Sequence, residues 1–407
     1  MTAPHALVSG ASIAGLSATW WLRRIGWKVT LIEKSTSFRD GGQNVDVRGV
    51  AKDVLERMGL TDAIRAKNTT ETGTVIVDAR GEVIGELPSN GADGATAELE
   101  VLRGDFARTI LDALPVGTPV VYGASIAEVD ETDEHRVVVT IDDGQRLEAD
   151  LLVVAEGVRS STRDLLFAST EIDARPLGVT MAFGTIPRTP DDDDRWRWYN
   201  AVEGRQVHLR PDPHGTTRAI LAYAGDDHLA SRDREEALRV LRERYADAGW
   251  QAPRVLDGFD DSDDVYIDEL TQIRMPGWHR GRVCVIGDAA WCVTPMGGGG
   301  ASLALTGGYV LAAFLSQIEG RPGRDALDDA LEQMDAWMRP LVDRIQGIPR
   351  GMLRFAYPRT RFGLAARAVI TKVMTAPPLS HVTATFTEVA DAEQPLPDLL
   401  TRSAAHE

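Results

Sequence analysis

Three small residues near the start of the chain have a spacing that can do chemistry. They are Gly10, Ser12 and Gly15, in the pattern G-x-S-x-x-G, with Glu33 about twenty residues past the turn. A short apolar run, Ala6 to Val8, precedes them. A helical pattern (Leu16, Trp20, Leu22, Ile25) follows and stops at Gly26, and Val29 to Ile32 reads as a second buried strand. Strand, glycine turn, helix and strand together are the start of a dinucleotide-binding βαβ unit. Gly10 permits the tight turn, and Gly15 lets the helix pack closely on the strand. The helix beginning near Ile13 and Ala14 aims its free N–H groups, with roughly half a positive charge, at a pyrophosphate. Glu33, with Lys34 beside it, stands where a carboxylate holds ribose hydroxyls; an acid there favours FAD or NAD over NADP as the bound nucleotide. Ser12 replaces the usual middle glycine, and its hydroxyl is small enough to lie against a phosphate.

Two later stretches repeat the theme. The apolar strand Val283 to Ile286 ends in Gly287-Asp288, and no helix is expected until after Gly297-Gly298-Gly299-Gly300. Consecutive glycines expose backbone N–H groups and let a flat ligand approach the main chain. Asp288 is placed to accept hydrogen bonds from ribityl hydroxyls, and a helix from Ala301 points its N-terminus over the glycines. The strand Leu151 to Val154 ends in Glu156-Gly157 followed by Arg159 and Arg163, a second contact for a dinucleotide.

The elements that position these stretches make an α/β protein. The reading places a discontinuous Rossmann-like domain at 1–72, 98–168 and 271–330. An antiparallel-sheet domain at 73–97 and 169–270 is inserted into it, and a helical C-terminal segment at 331–407 bridges the two. Gly91 to Ala97 reads as a flexible link. Pro119 to Tyr122, Ser125 to Val129 and Arg136 to Ile141 read as an antiparallel meander. The inserted sheet (Val179 to Ile186, Gln206 to Leu209, Ala219 to Tyr223) is expected to keep one wet face. The run Asp191 to Asp194 reads as a solvated turn without a role. From Ala326 to Leu353 the pattern is helical, with interruptions at Pro340 and Pro349, and Arg361 to Met374 is a further amphipathic helix.

Composition narrows the function. A net charge of −17 over 407 residues leaves no basic stripe for nucleic acid or for an anionic membrane surface. Two cysteines, Cys284 and Cys292, give no disulfide framework and suit a cytoplasmic protein. Eight histidines without ligand spacing suggest no metal site.

Taken in order, the three nucleotide stretches resemble those of the FAD-dependent aromatic hydroxylases of the para-hydroxybenzoate hydroxylase class. The resemblance covers residues 1 to about 350. Arg103 matches the arginine that opens the family's flavin-contacting helix, here Arg103 to Leu114, although Phe106 replaces a leucine. Gly41-Gly42 with Asp46 and Arg48 resembles the loop over the flavin, and Arg339-Pro340 the Arg-Pro of a C-terminal helix. Pro295, Gly298, Gly299, Gly300 and Ala301 complete the late motif. Size and inserted sheet look closest to the compact branch that degrades tetracyclines or tailors polyketides. Four further departures are Ser12, Glu156 for the usual aspartate, Trp291 for a common histidine and Ser302 for a common asparagine. The last two are expected near the flavin ring.

What the resemblance implies is an oxidoreductase with non-covalent FAD, reduced by NADH or NADPH. Oxygen then gives a C4a-hydroperoxyflavin that transfers one atom to an aromatic or polyketide-like small molecule. The flavin carries the chemistry, so no catalytic side chain is required. Substrate-facing candidates are Met181, Phe183, Trp198, His208, Arg210 and Tyr223 from the inserted sheet, with Met296 and Gly297 from the glycine loop. A monomer or homodimer is expected. Two rivals remain: a flavoprotein of the same fold catalysing a non-oxygenating step, and an NAD-dependent dehydrogenase that would be colourless.

Overall fold

The computed structural model describes residues 3–69, 71–87, 99–349, 351–374 and 395–401; the link expected at Gly91 to Ala97 lies outside them. The chain opens with β1 (His5–Ser9), α1 (Ile13–Arg24) and β2 (Lys28–Glu33), and Gly26 turns between helix and strand at φ +91°. Next come β3 (Asn44–Asp46), α2 (Val50–Met58) and α3 (Thr61–Arg65), with left-handed Gly59 ending α2. A hairpin of β4 (Thr74–Val77) and β5 (Val83–Leu87) follows, and then β6 (Glu100–Leu102) runs directly into α4 (Arg103–Asp112). The strands β7 (Val120–Tyr122), β8 (Ile126–Asp130), β9 (Val137–Ile141), β10 (Arg146–Ala149) and β11 (Leu151–Val154) lead to α5 (Ser161–Leu166).

The middle of the chain supplies β12 (Asp173–Pro187), β13 (Trp196–Ala201), β14 (Arg205–Pro211) and β15 (Thr216–Ala224). Helices α6 (Arg234–Tyr245) and α7 (Ala252–Asp261) and strand β16 (Tyr266–Arg274) follow. The chain then returns through β17 (His279–Arg280) and β18 (Val283–Val285). It ends in the helices α8 (Asp288–Trp291), α9 (Thr294–Gly297), α10 (Gly300–Ser316), α11 (Arg324–Gln346), α12 (Met352–Ala356) and α13 (Arg361–Met374).

One sheet has the order β17-β18-β11-β1-β2-β7 and is parallel apart from β17. Strands β11 and β18 are wholly buried and β1 is buried from Ala6 on, in a core shared with α1, α10 and the meander residues Ile126, Val137, Val139 and Ile141. The order reverses beside β1, and the crevice at the carboxyl ends of β1, β2 and β11 is where such sheets bind ligands. The other large sheet runs β16-β12-β15-β14-β13-β4-β5 and is antiparallel except where β13 meets β4. On one face Val207, Leu209, Ala219 and Leu221 pack under α6 and α7. On the other, Val179, Met181, Phe183, Ile220 and Ala222 meet Met296, Leu353 and Tyr357.

Several expectations need correction. This sheet has no wet face: β14 is buried at every position, since helices cover one side and the nucleotide half the other. The first of the three expected meander strands, Val120–Tyr122, joins the parallel sheet beside β2, and the meander is β8-β9-β10. Two one-turn helices, α8 and α9, come before the loop, α9 taking in Gly297, and α10 already starts at Gly300. α11 continues through Pro340, where burial of Met334, Met338, Leu341 and Val342 outweighs one lost hydrogen bond. Asp192, Asp193 and Asp194 are not idle, since they pair with Arg254, with Arg195 and Arg197, and with Arg188.

Candidate active site

The cleft begins where β1 gives way to α1. Gly10 N–H donates to Ile32 O at 2.7 Å, and a Cβ on Gly10 would stand 2.3 Å from Ala155 O. A Cβ on Gly15 would stand 1.9 Å from Gly10 O, so both glycines are required by close packing of turn, helix and strand. Ser12 is the N-cap of α1 but its side chain caps nothing; its Oγ instead accepts from Arg103 Nη1 at 3.1 Å. Arg103 also donates to Gly41 O at 3.0 Å, and a Cβ on Gly42 would meet its Nε at 2.5 Å. Burial, with help from nearby Arg39, lowers the Arg103 pKa. The Glu33 carboxylate closes the turn, accepting from the Ala11 N–H at 2.8 Å and the Ser35 N–H at 2.9 Å.

A second N-terminus converges on the same cleft. Neither α1 nor α10 carries an acid in its first turn or a side-chain cap, so their leading N–H groups are left for an anion or a polar ring. Gly298 and Gly299, at φ +67° and +68°, bring the main chain round to α10. Gly287, at φ +63°, backs onto Ala14, where a Cβ would come within 2.7 Å. Asp288 opens on the cleft yet lies deep among protein atoms. That surround, together with the Asp268 charge, pushes its carboxyl up to about 6.

Four residues of the motifs are committed elsewhere. The two carboxylate oxygens of Glu156 accept from Ser9 Oγ, Ser160 Oγ, the Thr162 N–H and Thr162 Oγ1 at 2.6 to 3.1 Å, so Glu156 staples β1 to α5. Arg163 donates to Val158 O and Ala289 O, tying that turn to α8. Trp291 is buried, edge-on to Trp278 at 4.4 Å, and presses against Gly307. Ser302 accepts from the Arg48 N–H and donates to Asp46 O, each at 3.0 Å, and so pins the loop after β3 to α10. In that loop Asp46 and Arg48 pair at 3.0 Å. Lys34 is exposed at the end of β2, and Arg159 reaches Asp268 on β16 at 3.4 Å.

A doubly wound crevice, two open helix N-termini and a glycine cradle with an acid at its lip are the parts of a dinucleotide site. The FAD binding domain family matches residues 4–344. The chain belongs to the flavin-dependent monooxygenases. The monooxygenase eupH of Phoma sp is 33% identical over 389 residues, covering 89% of this chain and 90% of that one. A flavin-dependent monooxygenase of Legionella longbeachae serogroup 1 (strain NSW150) is 30% identical over 361 residues, 84% of this chain and 86% of its own. Among solved structures, tetracycline destructase Tet(51) superposes with a TM-score of 0.78 at 27% identity, over 98% of this chain and 100% of that chain.

In this monooxygenase the wall opposite the nucleotide cradle is the inner face of the seven-stranded sheet. Met181, Phe183, Trp198, His208 and Arg210 lie on it, and Met296 meets it from α9. Gly297 packs against Ile345 instead. Tyr223 does not belong to this wall. The two-residue period of β15 turns it to the helix side, where its hydroxyl donates to Asp227 and Arg244 lies over its ring. Burial, then the charges of Arg210 and Arg367, push His208 down to about 3, and Trp196 Nε1 donates to its Nδ1 at 3.0 Å. Burial therefore favours the neutral imidazole at His208. Residues missed by the sequence reading share this wall: Trp196, stacked on Trp198 at 5.7 Å; Tyr266, stacked on Phe183 at 6.4 Å; and Glu71 and Glu100, which clasp Arg210. The alternation 206-208-210 and 196-198 was the available signal for Trp196.

Proposed function

We propose that the protein binds FAD in this cleft and uses NADH or NADPH to insert one atom of O2 into an aromatic or polyketide-like small molecule. The carrying observation is the pair of uncapped N-termini, α1 and α10, meeting beside Asp288 and opposite an aromatic wall. In this reading the α1 N–H groups, Ser12 and Arg103 hold the pyrophosphate, and Glu33 holds the ribose. Asp288 accepts from the ribityl hydroxyls, and the N-terminus of α10 supports charge on the ring. Bound FAD supplies electron relay from the nicotinamide and activation of oxygen. The chain's own residues orient the substrate and keep water out, which suits a wall of Met181, Phe183, Ile220 and Trp198.

The existence of two separate apolar cores supports a division of 1–72, 98–168 and 271–330 against 73–97 and 169–270, with 331–407 as a bridge, and within that last segment α11 packs into the nucleotide core through Leu331, Met334, Met338 and Leu341. Arg367 of α13 bonds Asn200 and Ala356 O on the sheet side, while Tyr309 and Trp337 bond the carbonyls of Pro397 and Pro395 on the nucleotide side. Among the described residues, no helix is long and apolar enough to cross a membrane. Both cysteines are buried and unpaired, as a reducing cytoplasm would keep them.

The test is the visible spectrum of the purified protein before and after anaerobic addition of NADH or NADPH. Flavin bands that bleach support the reading. A colourless protein that takes up no FAD overturns it.

A further inference from the structure

A second cavity, of about 390 Å³, shares α8 with the nucleotide cleft. Asp288 opens that helix on the cleft, while Ala290 and Trp291 line the cavity. The other walls are Ile273 to Met275 at the end of β16, Trp278 just beyond it, and Val342 and Gln346 of α11. Glu171, Asp173 and Arg175, around the start of β12, complete the lining with Arg339 and Asp343 of α11.

Three polar atoms of these lining residues are buried without a partner, and all three are donors: Nε of Arg274 and the indole Nε1 of Trp278 and of Trp291. The charges around them are unevenly answered. Arg175 pairs with Asp173, Arg339 with Asp335, and Glu171 with Arg280, while Asp343 stands exposed. Arg339 also covers one face of Trp278, its guanidinium 3.7 Å from the ring centre. Arg274 has no carboxylate partner among the described residues. Its Nη2 donates to Gln272 Oε1 at 3.2 Å and to Gln346 O at 2.7 Å, and its Nε and Nη1 make no hydrogen bond among the described residues.

A buried donor without an acceptor is costly, so this cavity favours a ligand that brings acceptors over one that brings donors. A carboxylate suits an arginine whose charge no acid of the protein answers. Ile273, Met275 and Val342 are apolar and leave the rest of the wall to a hydrocarbon ring. Trp291, which no step of the proposed function uses, belongs to this wall.

We propose that the cavity is a second ligand site, separate from the nucleotide cleft, for a small aromatic carboxylate: the carboxylate pairs with Arg274 and the ring lies against the side of the cavity formed by Trp278, Trp291 and Met275. The site does not depend on what the cleft holds.

The experiment uses phenylacetate and its neutral analogue phenylacetamide as probes of the FAD-loaded protein at neutral pH. Calorimetry measures affinity. Fluorine NMR of protein labelled with 5-fluorotryptophan locates the ligand, with the resonances of Trp278 and Trp291 assigned through Trp278→Phe and Trp291→Phe. The expected result is that phenylacetate binds about tenfold or more tightly than phenylacetamide, that it shifts these two resonances to saturation, and that Arg274→Gln removes the preference for the acid. Circular dichroism confirms that the variant is folded; if it is not, the wild-type ranking and the two resonances decide alone. Phenylacetate that binds without moving either resonance sits elsewhere, and the proposal falls. Equal binding of the amide overturns it, as does a preference that persists unchanged in Arg274→Gln. No binding of either probe up to about 10 mM also overturns it. If the protein takes up no FAD, the proposed function fails, and the same titration of the apoprotein decides this site.

Discussion

On the nucleotide side of the cleft, the groups that line it are mostly backbone: the leading N–H groups of α1 and α10 and the peptide units of Gly298 and Gly299. On the sheet side they are side chains: Trp196, Trp198 and His208, and Arg210 between its glutamates. Backbone recognition suits a cofactor whose phosphates are invariant, because glycine turns and helix ends do not depend on what else the chain carries. Side-chain recognition suits a substrate that differs among relatives, since each position of β13 and β14 can change without disturbing the hydrogen-bonded ladder.

If that contrast is sound, the largest effect should come from filling the backbone cradle. Gly15→Ala places a methyl group against Gly10 O and should cost about 2–3 kcal/mol, seen as a lower urea midpoint, with loss of FAD from the purified protein. Next is Asp288→Asn, which removes a charged acceptor and should weaken FAD binding by about tenfold to a hundredfold in a flavin fluorescence titration. The same change should stabilise the apoprotein at high pH. The Asp288 carboxyl is raised in the folded state, so its contribution is full below the unfolded carboxylate value and is lost as pH rises through about 6; asparagine has no such loss.

The sheet side should answer to pH at a different place. Glu100 is raised to about 7, so its contribution to stability falls as pH climbs through neutrality, and Glu100→Gln should flatten that fall in thermal melts between pH 5 and 8. A wild type and variant with parallel pH profiles would show that Arg210 already neutralises the site. Smaller still is Ser302→Ala, which breaks two hydrogen bonds and should cost about 1 kcal/mol, with faster amide exchange around Asp46 to Arg48. Tyr223→Phe is the sharpest control. It lies on the helix face, so substrate KM should not move; a shifted KM would mean that the faces of β15 have been assigned the wrong way round.

How far the sequence could be read follows the same division. Gly10, Gly15 and Glu33 announce their geometry because a turn between strand and helix tolerates few residues, and the four glycines at 297–300 do likewise. The packing of Trp291 was not legible because position in a motif says nothing of rotamer, and the indole meets Trp278 and Gly307. Tyr223 deceived because a strand buried on both faces shows no alternation of polarity from which to tell one face from the other. Glu71 and Glu100 are far apart in the chain; the Asn68–Val101 bridge, the Thr69 N–H bond to Glu100 O and the neighbouring Arg210 bring them together. Val120–Tyr122 was placed in the wrong sheet because three short β runs in succession look alike until their partners are known.

The order of strands in the parallel sheet has a consequence for synthesis. β11 lies between β1, made about 145 residues earlier, and β18, which is made only after the whole seven-stranded sheet has been translated. While residues 155–282 emerge, Leu151-Leu152-Val153-Val154 is an open and wholly apolar edge, the kind of strand that recruits other chains. Asp288 and the glycine cradle follow β18 directly. The nascent protein therefore gains its nucleotide pocket at the same moment that it loses its stickiest edge.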